Sequence, residues 1–359
     1  MGDRAPRWWP AALAAAVAVI VACSLPSIQA RAKAVAVVTE AFGIPFPRPL
    51  APPVRRIDAS LDSVTGHLYL PDRRAPAIVL LPGAAPRGKD DPRAVRLARA
   101  LAHAGRVVFV PDLTLAERRL DREDVERVVR AVEELSDDPR AEGPVVLVGI
   151  SYGGSYAMVA AADPRLRGRV ALVATFGAFF DLMGVIQAAS TGATLVAGME
   201  FPWQGHPMAR AVLEAQATAL LPAADRPGLQ AALDGTGDPN DLGPAAGAVY
   251  DLLANRDPAR TPDLFGRLPE DIRERLDSVA PASVVDRLQV PVIAMHSVDD
   301  PAVPYAEFLR LARAFPQARL VSVESFRHVD LKSGGGWGGA AGALRGVWRF
   351  GSWLLEAQE

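Results

Sequence analysis

Short apolar runs alternate with amphipathic helical segments along most of this chain. Apolar runs rich in β-branched residues favour strands at 77–81, 107–110, 145–148, 170–174, 290–295 and 319–323. Helical spacing occurs at 93–104, 121–135, 151–162, 305–314 and 340–355. Strands that are apolar on both sides need helices on both faces of their sheet, which βαβ crossovers supply. The pattern therefore predicts an α/β fold with a doubly wound, mostly parallel sheet.

The alternation breaks down between residues 178 and 285. This stretch contains Ala-rich helical segments and loops with prolines at positions 222, 227, 239, 244, 258 and 262. We interpret it as a helical cap that is inserted into a core formed by residues 55–177 and 286–359. The 359 residues of the chain are enough for one such core with an insertion.

The sequence of residues 1–30 predicts a signal or membrane-anchor segment. Arg4 and Arg7 precede the uncharged stretch Trp8–Ala30, which is long enough to cross a hydrocarbon core of about 30 Å as a helix. Cys23 resembles the lipid-modified cysteine of bacterial lipoprotein signals, and the alternative is an ordinary small residue in a single transmembrane helix. Both alternatives anchor the chain at a membrane. The basic N-terminus favours an extracytoplasmic folded domain, either periplasmic or at the cell surface.

Residues 31–54 are predicted to form a Pro-rich spacer. A short amphipathic helix over 31–42 is followed by prolines at positions 45, 47, 49, 52 and 53. Because Pro-rich segments adopt extended, semi-rigid conformations, we expect the spacer to hold this helix away from the folded domain.

Charge and histidine content limit the classes of partner. The 39 basic and 41 acidic residues give a net charge of −2, so the chain has no basic footprint for a phosphate backbone. The five histidines are too scattered to suggest a metal site. We therefore expect neither nucleic acid nor a metal ion as a partner.

One motif suggests a nucleophile. The sequence Gly-Ile-Ser-Tyr-Gly over Gly149–Gly153 lies between a predicted strand and a predicted Ala-rich helix, which is the context that gives a G-x-S-x-G match its meaning. A serine on such a sharp turn needs small neighbours, and the flanking glycines supply them. The alternative is a Gly-rich turn in which Ser151 only caps the helix.

This motif and its context resemble the α/β-hydrolase family, and specifically its serine esterases and dienelactone-hydrolase-like members. The resemblance covers about residues 55–359 and implies the chain order nucleophile, acid, histidine. The loop His296–Pro304 is similar to the family's acid loop, although Ser297 stands where the family prefers Gly. The resemblance implies a catalytic triad of Ser151, Asp300 and His328. His328 is the only histidine after the acid loop.

Two other aspartates are alternative candidates for the acid. Asp299 could take the role if the loop turned one residue earlier. Asp181 is a second alternative because some family members carry the acid earlier in the chain, although it also suits the N-cap of a helix that enters the cap.

The resemblance also implies an oxyanion hole formed by the backbone N–H groups of Tyr152 and Ala84. Ala84 lies in a Pro-Gly loop after the strand at 77–81, where Pro82 replaces the family's histidine. Gly83 and Ala85 are alternatives for the second donor, and a plain β-turn is the alternative for the loop as a whole.

The expected function is cleavage of a carboxylic ester through an acyl-enzyme, without a cofactor. Aromatic residues at the start of the cap, among them Phe176, Phe179, Phe180 and Trp203, suggest either a pocket for an apolar acyl group or packing under the cap. A small-molecule ester is then the expected partner. The alternatives are a catalytically silent, membrane-tethered binding protein, or an acyltransferase or peptidase that uses the same triad.

Overall fold

An eight-stranded sheet organises the chain, in the order β1-β2-β4-β3-β5-β6-β9-β10. The computed structural model describes residues 26–41, 53–117, 119–324, 326–328, 330–331 and 337–357. The strands are β1 (Arg55–Leu61), β2 (Val64–Leu70), β3 (Ala75–Leu81), β4 (Val107–Pro111), β5 (Ala141–Ile150), β6 (Val170–Phe176), β9 (Val292–Ser297) and β10 (Arg319–Val323). β2 alone runs in the direction opposite to the other seven strands. The predicted doubly wound, mostly parallel sheet is therefore confirmed.

The sequence analysis did not predict β1 and β2. In β1 the residues alternate between exposed and partly buried positions and include Arg55, Arg56 and Asp58, as is typical of an edge strand. Such a strand lacks the continuous apolar run by which the central strands were found. In contrast, β10 and the helix Tyr305–Ala314 have the predicted boundaries.

Helices cover both faces of the sheet. They are α1 (Pro26–Ala41), α2 (Pro92–His103), α3 (Arg122–Asp137), α4 (Tyr152–Ala161), α11 (Tyr305–Ala314) and α12 (Trp337–Glu356). One apolar core lies between the sheet and helices α1, α2 and α12. The other lies between the opposite face and helices α3, α4 and α11, and it continues into the segment between β6 and β9.

The segment predicted to be a cap contains six helices and a hairpin. The helices are α5 (Leu182–Thr191), α6 (Pro207–Leu220), α7 (Arg226–Leu233), α8 (Pro244–Ala254), α9 (Thr261–Gly266) and α10 (Glu270–Asp277). The antiparallel hairpin of β7 (Ala193–Val196) and β8 (Met199–Pro202) was not predicted. It turns through Ala197 and Gly198, which both have positive φ.

Helix α1 corrects one expectation. It was predicted to lie away from the folded domain, but it packs against α12 and α2. Ala30, Ala34, Val37 and Val38 are buried in this contact, and Gly351 of α12 lies against Ala34 and Val38. Glu40 of α1 also pairs with His103 of α2 at 2.8 Å. The expectation was wrong because the apolar residues of α1 recur at helical spacing and pack on α2 and α12, which only the folded chain brings together.

Of the predicted signal or anchor segment 1–30, residues 1–25 with Cys23 lie outside the described residues, and residues 26–30 belong to α1. Most of the spacer prolines also lie outside the described residues. Among the helices that the structure describes, none combines the length and the apolarity that crossing a bilayer requires.

A buried ion pair links the core to the cap segment. Glu307 of α11 contacts Arg310 one turn later and accepts hydrogen bonds from the backbone N–H groups of Phe180 and Asp181, at 3.0 and 2.7 Å. Arg310 donates to the Leu195 carbonyl of β7 at 2.7 Å. Burial raises the pKa of Glu307 to about 7 despite the contact with Arg310. The carboxylate is therefore stable in the core only because these donors surround it.

The docking of α1 can be tested with two substitutions on the same helix. Ala34→Glu should lower the free energy of unfolding by about 3 kcal/mol, because it buries a carboxylate without a partner. Ala32→Glu, at an exposed position, should change it by less than about 0.5 kcal/mol. Urea unfolding followed by circular dichroism measures both. Equal effects would show that α1 does not pack on the core.

The core–cap ion pair predicts a non-additive pair of substitutions. At pH 8, where Glu307 is ionised, Glu307→Gln should lower the free energy of unfolding by about 3 kcal/mol, because Arg310 keeps a buried charge. The double variant Glu307→Gln/Arg310→Met should recover much of this loss. The exposed pair of Asp263 and Arg267, 2.6 Å apart, is the control, and Asp263→Asn should cost less than about 1 kcal/mol. Additive losses in the double variant would contradict a buried, coupled pair.

Candidate active site

Ser151 lies on a sharp turn between β5 and α4. Its φ of 54° and ψ of −132° are outside the regions that non-glycine residues normally adopt. Its backbone N–H donates to the Phe176 carbonyl of β6 at 2.7 Å, and its carbonyl accepts from Gly154 at 2.9 Å. These bonds hold the strained residue in place at the end of the strand.

The glycines of the motif are required by close backbone contacts. A Cβ at Gly149 would collide with the backbone of Gly153 and Gly154, and one at Gly153 would lie 2.6 Å from the Leu81 carbonyl oxygen. The turn can therefore form only with small residues at these positions. This explains why the spacing of the motif was informative in the sequence.

Asp300 and His328 are 28 positions apart in the sequence but lie in contact in the fold. His328 Nδ1 lies 2.7 Å from Asp300 Oδ2. Because a carboxylate only accepts, Nδ1 carries the proton, and the other ring nitrogen is left as an acceptor. His328 has a φ of 58° in the tight turn between two short strands, β11 (Phe326–Arg327) and β12 (Asp330–Leu331).

The carboxylate of Asp300 is buried and accepts several hydrogen bonds. Its Oδ1 accepts from the backbone N–H groups of Ala302 and Val303 at 2.8 and 3.0 Å. Burial alone would raise the pKa of Asp300, but the charge and hydrogen bond of His328 hold that pKa below its ordinary value. Asp300 is therefore ionised at neutral pH and can stabilise a charged imidazole.

His296 lies beside this pair but is held in a different way. Burial lowers the pKa of His296, and its Nε2 donates to the Val303 carbonyl at 3.1 Å. A neutral imidazole with this bond supports the acid loop and is not available as a base.

The alternative acids lie elsewhere. Asp299 is exposed, whereas Asp300 next to it is 2% exposed and faces His328. Asp181 caps α5, where its side chain accepts from the Met183 N–H at 3.0 Å. Burial raises the pKa of Asp181, which lies beside Glu307 and Arg310.

Gly177, which the sequence analysis missed, lies directly against the Asp300–His328 pair. A Cβ at this position would be 3.0 Å from His328 Cε1 and 3.4 Å from Asp300 Oδ2. Its φ of 67° is in the left-handed region, and its N–H donates to the Met295 carbonyl at 2.9 Å. A glycine directly after an apolar strand was the available signal.

Ser151, His328, Tyr152 and Ala84 line one cavity of about 540 Å³. Gly83, with a φ of 74°, directs the loop after β3 toward the Ser151 turn, and a Cβ there would collide with the Ile150 carbonyl. The two predicted N–H donors thus belong to segments that converge on the same space as the serine and the histidine.

The other walls of the cavity are mostly apolar. They include Ile150, Val185, Ala189, Trp203, Ala209 and Val212. Of the aromatic residues considered in the sequence, Trp203 lines the cavity, whereas Phe176, Phe179 and Phe180 are buried core residues. In the part of the chain that the structure describes, no group of His, Cys, Asp and Glu side chains could hold a metal ion.

Comparisons with known proteins agree with this architecture. The profile described as "Alpha/beta hydrolase family" matches residues 78–332, which is more than half of the chain. An alpha/beta hydrolase superfamily protein from Enterococcus faecalis has a similar structure, with a TM-score of 0.50 and 17% identity over 84% of this chain and 98% of that chain. A search among curated proteins gives no match.

Two further solved structures are similar at lower scores. A dienelactone hydrolase from Anabaena variabilis has a TM-score of 0.43 and 16% identity over 84% of this chain and 96% of that chain. A Pyrococcus horikoshii acylaminoacyl peptidase has a TM-score of 0.48 and 16% identity over 85% of this chain. This chain covers only 41% of that peptidase. The profile match, together with the eight-stranded sheet, confirms the resemblance, and the chain belongs to the alpha/beta hydrolase family.

Proposed function

We propose that this hydrolase cleaves carboxylic esters through a covalent acyl-enzyme, with Ser151 as nucleophile, His328 as base and Asp300 as acid. The observation that carries the proposal is the 2.7 Å bond between His328 Nδ1 and Asp300 Oδ2, in a cavity that Ser151 also lines. Such a bond fixes the tautomer in which the free ring nitrogen can accept the serine proton.

The reaction then has two stages. In the first, Ser151 Oγ attacks the ester carbonyl while its proton moves to His328 Nε2, and the tetrahedral intermediate collapses as His328 protonates the leaving alcohol. In the second, His328 takes a proton from water, which attacks the acyl-enzyme, and then returns that proton to Ser151 Oγ as the acid is released. Asp300 stays ionised throughout and stabilises the imidazolium.

The developing oxyanion would accept hydrogen bonds from the backbone N–H groups of Tyr152 and Ala84. Tyr152 follows the nucleophile at the start of α4, and its ring packs edge-on against Phe179 with centroids 4.9 Å apart. Burial raises the pKa of Tyr152 to about 12, so the phenol stays neutral at neutral pH.

The cavity favours a small-molecule ester with an apolar acyl group. Val185, Ala189 and Val212 provide an apolar surface, and a volume of about 540 Å³ is typical of sites for small organic ligands. A silent binding protein is the weaker alternative, because Ser151, held in a strained conformation, lines the same cavity as the histidine that is bonded to Asp300. An extracytoplasmic location and a membrane anchor stay predictions from the sequence.

The proposal is tested by labelling the full chain with a fluorophosphonate and by assaying a short nitrophenyl ester. Labelling should map to Ser151, because it lines the same cavity as His328, and Ser151→Ala should abolish both labelling and turnover. Asp300→Asn should lower kcat by about 10⁴-fold, because the imidazole loses its fixed tautomer.

Asp299→Asn is the matched control for the acid, and it should keep nearly wild-type kcat because Asp299 is exposed and the carboxylate bonded to His328 is that of Asp300. A folded wild-type protein without labelling would reject the proposal in favour of the silent alternative. An equal loss in both aspartate variants would reject Asp300 as the acid.

Gly177→Ala tests the space that the imidazole needs. The new Cβ should displace the His328 ring and lower kcat by about 100-fold. Gly168→Ala introduces the same residue at a φ of 77° with nothing within 4 Å. Both variants should lose about 1–2 kcal/mol of stability from backbone strain, but only Gly177→Ala should lose activity. Similar activity in the two variants would show that Gly177 serves the backbone alone.

A further inference from the structure

A tryptophan of the cap segment is bonded to the residue that holds the histidine. Trp203 Nε1 donates to the backbone carbonyl of Asp300 at 2.7 Å. The backbone N–H of His206 donates to the next carbonyl, that of Pro301, at 2.8 Å. Two successive carbonyls of the acid loop are therefore held by the segment between β8 and α6, which enters from the cap.

The indole itself is fixed from two sides. The Trp203 backbone N–H donates to the Gly192 carbonyl at 2.7 Å. The six-membered ring lies against Gly205, where a Cβ would collide with it. The ring also lines the cavity with Ser151 and His328. These contacts orient the indole N–H of Trp203 independently of its bond to the acid loop.

The bond from Trp203 is important because Asp300 also makes the contact with His328. The side chain of Asp300 orients His328, while the backbone carbonyl of Asp300 is held by Trp203. A rotation of the Asp300 backbone would move its carboxylate away from the Nδ1 proton. The acid loop is also partly exposed at Val298, so it is not immobilised by burial along its whole length.

We propose that Trp203 is a positioning residue for the Asp300–His328 pair, and that the cap segment is in this way a structural part of the active site. This inference rests on the proposed ester cleavage. It assigns Trp203 a role through Asp300, separate from its place in the cavity wall.

The experiment compares two Trp→Phe variants of the full chain. Trp203→Phe removes the N–H donor and keeps an aromatic ring. Trp348→Phe is the control, because it removes an Nε1 bond of 3.1 Å to the Arg31 carbonyl that is part of the α1–α12 contact. The rate of fluorophosphonate labelling and the kcat and KM for a short nitrophenyl ester are measured beside the unfolding midpoint.

Loss of one neutral hydrogen bond is worth about 1 kcal/mol, so labelling rate and kcat should fall about fivefold to tenfold in Trp203→Phe. KM should stay within about twofold, and Trp348→Phe should keep the wild-type labelling rate and kcat. If Trp203→Phe does not fold, Gly205→Ala is the second variant. Its new Cβ would collide with the Trp203 ring and shift the indole without removing it, so kcat should fall by the same factor.

Three results would overturn the inference. Wild-type labelling and kcat in the Trp203→Phe variant would show that the bond does not position Asp300. A raised KM with unchanged kcat would assign Trp203 to the cavity wall alone. Absence of labelling in the wild-type protein would reject ester cleavage and the positioning role together, whereas the first two results leave the proposed function standing.

Discussion

The active site depends on hydrogen bonds that continue the sheet beyond the ends of its parallel strands. The Ser151 N–H bonds to the Phe176 carbonyl, the Gly177 N–H to the Met295 carbonyl, and the Val298 N–H to the Val323 carbonyl, at 2.7, 2.9 and 3.0 Å. Each bond joins the first residue after one strand to a residue at or near the end of the neighbouring strand. Since parallel strands end at the same edge, residues distant in sequence meet there with fixed backbones. A strained serine can persist only on such a scaffold.

Burial then decides the chemistry of the two histidines in the acid loop region. His296 is 1% exposed and is held neutral, with its donor used by a carbonyl. His328 is partly exposed on a tight turn and faces the cavity. The same carboxylate of Asp300 lies near both rings, at 3.5 Å from His296 Nε2 and 2.7 Å from His328 Nδ1. Of the two rings, only that of His328 lines the cavity, so position and not residue type distinguishes the proposed base.

The sequence was sufficient for the central sheet because its strands are buried on both faces and therefore apolar throughout. It was insufficient where residues matter through partners that are far along the chain. Gly177 belongs to no recognisable motif. The need for a glycine there becomes visible only in the fold, where His328 packs against it. Glu307 looks like an ordinary surface residue of an amphipathic helix, yet it is buried among backbone donors. Helix α1 was misplaced for the same reason, because its partner α12 lies more than 300 residues away.

The cap segment and the acid loop have to be considered as one structural unit. Arg310 of α11 donates to the Leu195 carbonyl of the hairpin. Trp203, just after the hairpin, donates to the Asp300 carbonyl in the loop that precedes α11. A cap segment that moved as a free lid would break both contacts. Loss of the bond between Arg310 and the Leu195 carbonyl would leave the buried Glu307–Arg310 pair with one hydrogen bond fewer, which costs free energy in a medium of low dielectric constant. These two contacts lie at the base of the cap segment, near the hairpin, and α7 takes no part in them. The cavity-lining residues Val185, Ala189 and Val212 take no part in these two contacts. Substitutions there can therefore change the shape of the cavity without breaking either contact.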